Sequence, residues 1–272
     1  MSEPERAAGL AYERAGDGPP LVLIHGLGAT REIWRPQIGL LAGERDVIAV
    51  DMPGFGASPV LEEPATPWAL GGAIAGLCDE LGIDRPHLAG NSLGGWVALE
   101  MAKSGRAASA CLISPAGLWR RPLGARRIDA RAWARRLRPL VLGLTRLKPA
   151  REAMLRTSLG LPERAPAAVG RSLIEAWIDS PGYEAANAEM RRYVCEDLDR
   201  VTVPTTIVWG ELDRLVAPPR PERRPPGSRY LQFERLGHTP NWDDPELVAR
   251  LLLEASSAAA PAAATISGPE GK

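Results

Sequence analysis

Serine, histidine and a carboxylate can together turn a hydroxyl into a nucleophile, and this chain holds all three in a permissive order. Ser92 lies in Gly90-Asn91-Ser92-Leu93-Gly94, a G-x-S-x-G pentapeptide. A strand-like run leads into it and an amphipathic stretch, Leu93–Lys103, leaves it. A serine on a sharp strand-to-helix turn exposes its Oγ, and flanking glycines let the backbone pass close by without Cβ clashes. The competing reading is a plain glycine-rich turn.

Such a serine needs a base to take its proton. The chain has only three histidines, His25, His87 and His238. His238 stands in Leu236-Gly237-His238-Thr239-Pro240, beyond the last strand-like run. A base also needs a carboxylate to fix its tautomer and stabilise the imidazolium. Asp213, in Trp209-Gly210-Glu211-Leu212-Asp213, is the candidate, with Glu211 as its rival. His238 is the only histidine C-terminal to Asp213. The resulting order, Ser92, Asp213, His238, differs from the chymotrypsin and subtilisin orders.

Short apolar runs position these groups. Leu10–Arg14, Leu21–His25, Asp46–Val50, His87–Gly90, Ala110–Ser114, Thr205–Trp209 and Arg229–Leu236 read as strands. Near-continuous apolar runs suit strands buried on both faces of a parallel sheet. Between them, Thr66-Pro67 starts a helix carrying Leu70, Ile74, Leu77 and Leu81 on one face, and Asp244-Pro245 starts a last helix to about Glu254. The expected fold is α/β, a doubly wound, mostly parallel sheet with right-handed crossovers. The alternation stops near Leu118. From about Trp119 to Tyr193 the pattern is helical and rich in arginine, including Arg126, Arg127, Arg131, Arg135, Arg136 and Arg138. The expected organisation is a core of residues 1–117 and 196–255, an inserted helical cap of residues 118–195, and a disordered tail of residues 256–272.

Composition narrows the partners. The 272-residue chain has a formal net charge of +0, so nothing draws it to nucleic acid. Cys78, Cys111 and Cys195 form no C-x-x-C pair and suit buried thiols in a reducing compartment. No apolar stretch follows the charged N-terminus and none is long enough to span a bilayer, so a cytoplasmic protein is expected. Gly26-Leu27-Gly28 lacks the third glycine of a dinucleotide fingerprint, since residue 31 is Arg31. No cluster has metal-ligand spacing, and no cofactor or metal is implied.

Four motifs taken together resemble the α/β-hydrolase superfamily, in its branch with a helical cap. They are His25-Gly26-Leu27-Gly28, Asp51-Met52-Pro53-Gly54-Phe55-Gly56-Ala57-Ser58, the pentapeptide around Ser92, and Gly210-Glu211-Leu212-Asp213 with Gly237-His238. The resemblance covers roughly Leu21 to Glu254. It implies that Asp213 is the acid and His238 the base, and that the backbone N–H groups of Leu27 and Leu93 form the oxyanion hole. It also implies that His25 shapes the oxyanion loop. Asp51 is expected to brace the turn after it, His87 to pack or lie at the surface, and Trp96 to be core. Trp34, Asn91 and Trp242 are candidate pocket residues. Two features depart from the pattern. The chain starts late, which should cost an edge strand, and Val216–Tyr230 is too rich in proline for the helix expected there.

The reaction implied is acyl transfer to water, with a carboxylic ester as the favoured substrate. The elbow sequence also resembles that of C–C bond hydrolases acting on vinylogous diketones, in which a cap arginine is expected. Arg191 and Arg192 are candidates, and Trp242 falls where those enzymes have an aromatic, but Thr239 replaces their tryptophan after the histidine. Cofactor-free haloperoxidase or perhydrolase chemistry uses the same triad, and a non-catalytic ligand receptor could share the fold. The apolar cap residues Trp133, Leu137, Leu140, Val141 and Leu144 are expected to face the pocket or the sheet and to select a hydrophobic acyl or aryl small molecule. The cap arginines suit either a solvated face or an anionic partner, such as the substrate or an acidic carrier surface.

Overall fold

The computed structural model describes residues 4–124 and 130–257. Arg126, Arg127 and tail residues 258–272 lie outside that range. Among the described residues, eight strands form one sheet: β1 Glu5–Ala7, β2 Leu10–Ala15, β3 Pro20–Ile24, β4 Asp46–Val50, β5 His87–Asn91, β6 Ser109–Ile113, β7 Thr205–Gly210 and β8 Arg229–Phe233. Their order is β1-β2-β4-β3-β5-β6-β7-β8. The β1–β2 and β2–β4 pairs are antiparallel and the remaining pairs parallel. The central strands β3 to β7 are apolar and buried almost throughout, as crossover helices on both faces require.

The expected loss of an edge strand is corrected here. β1 is present, but it is only three residues long and too short to show a period. It pairs with β2 through Ala8 and Gly9, both at positive φ (48° and 77°). That is the backbone of a two-residue primed hairpin turn.

Helices α1 (Arg35–Leu41), α2 (Pro67–Glu80) and α3 (Leu93–Lys103) alternate with the strands. Thr66 caps α2, its Oγ1 accepting from the Ala69 N–H at 3.2 Å. Among the described residues, five α-helices lie between β6 and β7: α4 (Ala130–Arg136), α5 (Arg138–Leu144), α6 (Lys148–Leu155), α7 (Ala167–Asp179) and α8 (Tyr183–Arg192). They form an inserted helical cap with a small core of its own, including Leu142, Leu155, Leu159, Ile174 and Ile178. The closing helix α9 (Pro245–Ser257) takes in residues 256 and 257, expected in the tail, and Asp244 Oδ1 accepts from the Leu247 N–H at 3.0 Å to cap it. Among the described residues, no helix is long and apolar enough to cross a membrane.

The cap faces the other way from expectation at several positions. Trp133, Leu137 and Leu140 are 66%, 45% and 59% exposed, and Val141 and Leu144 are half-buried. Leu142 is the buried residue of α5 in the cap core, and Val141 packs against that core. Helical spacing defines an apolar face but not what that face meets. Here Arg131 takes the inward direction. It is 1% exposed and donates to the carbonyls of Trp177 and Ser180 and to Glu184.

Candidate active site

Ser92, Asp213, His238 and the loop that carries Leu27 lie beyond the carboxyl ends of parallel strands, where open α/β sheets place their ligand crevices. β3 runs into the Gly26–Gly28 loop, β5 into Ser92, β7 into Asp213 and β8 into His238.

Ser92 sits at φ 55° and ψ −117°, between the end of β5 and the start of α3. A non-glycine residue with positive φ is strained and persists only where its surroundings over-determine it. The glycines around it are the over-determination. A Cβ on Gly90 would lie 2.2 Å from the Gly94 carbonyl oxygen, and one on Gly94 would lie 2.3 Å from that of Ile24. Both positions need glycine for space, so strand and helix can close on each other only with this sequence. A Cβ on Gly26 would come 3.1 Å from the Ser92 Cβ, so the loop after β3 also passes against the serine. Leu93 opens α3, and its N–H is among those with no intrahelical acceptor.

His238 is buried, and its Nδ1 lies 2.8 Å from Asp213 Oδ2. A neutral imidazole in that position carries its proton on Nδ1 and leaves a lone pair on Nε2. Asp213 Oδ1 accepts from the N–H groups of Leu215 (2.8 Å) and Val216 (2.9 Å). Burial pushes the Asp213 carboxyl up, but the hydrogen bond and charge of His238 together with those two amides outweigh it, and the net shift is downward. Asp213 is therefore an ionised acceptor at neutral pH. Glu211, its rival, is exposed. Between Asp213 and β8 the proline-rich segment forms only one short 3-10 turn, Pro221–Arg223, as its prolines require. It still returns the chain so that Asp213 and His238 meet.

His25 is fully buried. Its Nε2 accepts from the Met52 N–H at 3.0 Å, so Nδ1 carries the proton and donates to the Gly26 carbonyl at 2.8 Å. Burial holds it below the usual imidazole range. It pins the loop that carries Leu27. Asp51 accepts from the backbone of Arg31 (2.7 Å) and of Ala57 (2.9 Å) and pairs with the Arg31 guanidinium, bracing the turns on both sides. His87 is half-buried and meets Ser109 Oγ at 2.9 Å. Trp96 is core and donates from Nε1 to Glu100.

Ser92, His238 and Asn91 line a cavity of about 470 Å³ between the sheet and the cap, with Leu27 and Gly28 at its wall. Leu123, Met154, Leu173, Ile174 and Trp177 make most of the rest apolar, and Arg191 and Asn187 add polar groups. A second, more open hollow of about 510 Å³ between α2, α3 and Tyr193–Arg200 shares no residue with it and contains no histidine. The three cysteines are buried and free, and burial pushes Cys78 up to about 11 and Cys111 and Cys195 to about 12. None is a thiolate at neutral pH.

The candidate pocket residues fare differently. Trp34 is corrected to core: it is fully buried among Ile38, Leu41 and Val248, because the 3-10 turn Arg31–Trp34 directs Ile33 to the cavity and Trp34 away from it. Trp242 packs against the cap core and does not line the cavity. Asn91 lines it, but its side chain is occupied. Nδ2 donates to the carbonyls of His238 (2.7 Å) and Ile113 (3.2 Å), while Oδ1 accepts from Thr239 Oγ1 (3.2 Å). It is a clamp between the serine turn and the histidine loop.

Sequence reasoning missed Asp243. This fully buried carboxylate accepts from Gly237 (2.7 Å), Gly160 (2.9 Å) and Leu161 (2.8 Å) N–H groups. It joins the histidine loop to the cap. Two adjacent acids before Pro245 were the available signal, since capping α9 uses only Asp244.

The sequence model of the alpha/beta hydrolase family matches residues 21–251. A dihydrolipoyllysine-residue acetyltransferase component of an acetoin cleaving system from Cupriavidus necator is 30% identical over 240 residues, 84% of this chain and 61% of that protein. The chain thus spans less than two thirds of that relative. Among solved structures, a bacterial membrane phospholipase A is similar with a TM-score of 0.71 at 26% identity, over 93% of this chain and 88% of that one. An esterase from Thermogutta terrifontis is similar with a TM-score of 0.68 at 26% identity, over 93% and 97%. Sheet order, serine turn and sequence match agree: this chain belongs to the alpha/beta hydrolase family, with a helical cap inserted between β6 and β7.

Proposed function

We propose that the protein is a serine hydrolase that cleaves a carboxylic ester with a hydrophobic acyl or aryl group through an acyl-enzyme on Ser92. The observation that carries this reading is the 2.8 Å contact between Asp213 and His238 Nδ1, which leaves Nε2 basic in the cavity that Ser92 also lines. His238 takes the Ser92 proton as Oγ attacks the carbonyl carbon. The N–H groups of Leu27 and Leu93 receive the charge that develops on the oxygen, a contribution worth about 3 kcal/mol per donor. The imidazolium, stabilised by Asp213, protonates the departing alkoxide, and His238 then activates a water that releases the acid. An esterase and a phospholipase A among the similar structures support the ester reading. The C–C hydrolase reading finds a cation in Arg191 but loses its aromatic, since Trp242 lies outside the cavity.

A fluorophosphonate probe tests the nucleophile: labelling of the wild-type protein that disappears in Ser92→Ala is expected, and unchanged labelling in that variant refutes it. A series of p-nitrophenyl esters tests the pocket. kcat/KM should rise from acetate to longer or aromatic acyl groups, and turnover of acetate far above the others overturns the apolar selection.

A further inference from the structure

Among the described residues, nothing covers an apolar stripe on the outer face of the cap. Trp133, Leu137 and Leu140 follow i, i+4, i+7 spacing, and the hydrogen bonds from Leu137 N–H to the Trp133 carbonyl (3.0 Å) and from Val141 N–H to that of Leu137 (2.9 Å) keep the turn continuous from α4 into α5. Side chains so spaced share one face. All three are largely exposed, as is Leu147 at 58% where α6 begins.

Charge on this segment has one sign. From Ala130 to Arg151 there is no Asp or Glu. Three of its arginines serve the cap itself: Arg131 is buried, Arg138 pairs with Glu175 and Asp179, and Arg151 donates to the Thr145 carbonyl. Arg135, Arg136 and Arg146 are exposed and, among the described residues, make no ion pair. Lys148 is exposed and only 3.8 Å from Glu152.

Tryptophan and leucine on one face, flanked by unpaired cations, is the composition of a helix that lies in a membrane interface. We propose that α4 and α5 dock the protein on an anionic phospholipid surface, with Trp133, Leu137 and Leu140 entering the acyl boundary and Arg135, Arg136 and Arg146 meeting the headgroups. Charge complementarity favours this occupant. The bulky apolar side chains favour a lipid phase over an acidic protein, for which the cations alone would serve. Docking also has a consequence for access. Ala130, the first residue of α4, lines the catalytic cavity, so the docked face and the cavity share one helix. The inference stands independently of the Ser92 chemistry.

The test is co-sedimentation of the full chain with vesicles of phosphatidylcholine mixed with phosphatidylglycerol, compared with phosphatidylcholine alone. Binding to the mixed vesicles is expected, falling steeply with salt. Each surface cation is worth about fivefold in partitioning, so Arg135→Gln with Arg136→Gln should weaken it by roughly twentyfold or more. Trp133→Ser with Leu140→Ser should weaken it at least tenfold, while turnover of a soluble p-nitrophenyl ester and the urea midpoint stay unchanged. No binding to the mixed vesicles overturns the proposal. So does binding that the charge changes abolish but the serine changes leave intact, because Trp133 and Leu140 then do not enter the lipid. Sedimentation showing a dimer that the serine changes dissociate overturns it too, because a second copy then covers the stripe.

Discussion

Replacing Asp243 should be among the most costly single changes outside Ser92, Asp213 and His238. Its carboxylate receives three backbone N–H groups, at 2.7, 2.8 and 2.9 Å, inside the protein. Hydrogen bonds to a charged group contribute about 1.5–3 kcal/mol each, and a buried donor left without an acceptor costs its full desolvation. Water entering the gap offsets part of that, so Asp243→Ala should lose about 4 kcal/mol against a typical total of about 5–15. Asn is a graded control. With its oxygen in the place of Oδ2 it still accepts from Gly160 and Gly237, but its NH₂ then opposes the Leu161 N–H, for a loss of about 2 kcal/mol. The change also reaches the chemistry. Gly237 precedes His238, and the Thr239 N–H donates to the Ser158 carbonyl of the cap at 2.8 Å. Loosening that joint displaces both His238 and the cavity wall at Ser158 and Leu159, and a shift of about 1 Å at reacting groups costs on the order of a hundredfold. Urea unfolding followed by tryptophan fluorescence reads the first effect, through the midpoint at constant m. Steady-state ester hydrolysis reads the second, with kcat down and KM up. An Ala variant within about 1 kcal/mol of wild type in urea refutes the reasoning.

Three further outcomes are expected. In Asp213→Asn, the amides of Leu215 and Val216 keep the side-chain oxygen, so the NH₂ faces His238 Nδ1 and moves the imidazole proton to Nε2. The fold survives and kcat falls by about 10⁴; a drop under tenfold in ester turnover contradicts the assignment. Gly94→Ala sets a Cβ 2.3 Å and 2.5 Å from the carbonyl oxygens of Ile24 and His25. It should cost about 3 kcal/mol or prevent folding, and a soluble variant with an unchanged thermal midpoint counts against it. Stability should also fall in mild acid. Burial lowers the His25 pKa, so as pH drops through the ordinary imidazole range the unfolded chain takes up a proton that the folded one refuses. The loss falls between about pH 7.5 and about pH 5.5, around the ordinary imidazole value. Urea midpoints at the two pH values measure it, and a flat profile refutes the buried, neutral His25.

What was legible in the sequence is what the backbone dictates. Gly90 and Gly94 are glycine because strand and helix would otherwise collide, so the pentapeptide encodes its own geometry. Asp213 and His238 were legible through chain order, since only one histidine follows the strand-end acids. Illegible features depend on direction or on tertiary partners. Trp34 and Ile33 are adjacent residues of one 3-10 turn, and the step between them decides which meets the cavity. Trp133, Leu137 and Leu140 have a helical period whether they face a pocket or solvent. In the fold Arg131 takes the inward position and leaves them exposed. Asp243 reads as a helix-cap residue until Gly160, distant in sequence, is brought beside it.

The joints between cap and core hold the cap in place through backbone alone. Gly182 donates its N–H to the Gly54 carbonyl at 2.8 Å, and a Cβ on Gly54 would lie 2.6 Å from the Gly182 Cα. At the other joint a Cβ on Gly237 would lie 2.2 Å from the Gly160 nitrogen. Both are backbone-to-backbone contacts made possible by glycine, one beside the loop after β4 and one beside His238. They fix where the cap sits without using any side chain that lines the cavity. Leu123, Met154 and Leu173 are therefore free to change the acyl group accepted while Ser92, His238 and Asp213 keep their positions. Substitutions at those three should move KM among esters of different length at nearly constant fluorophosphonate labelling. A change at either glycine joint should lower labelling and turnover together.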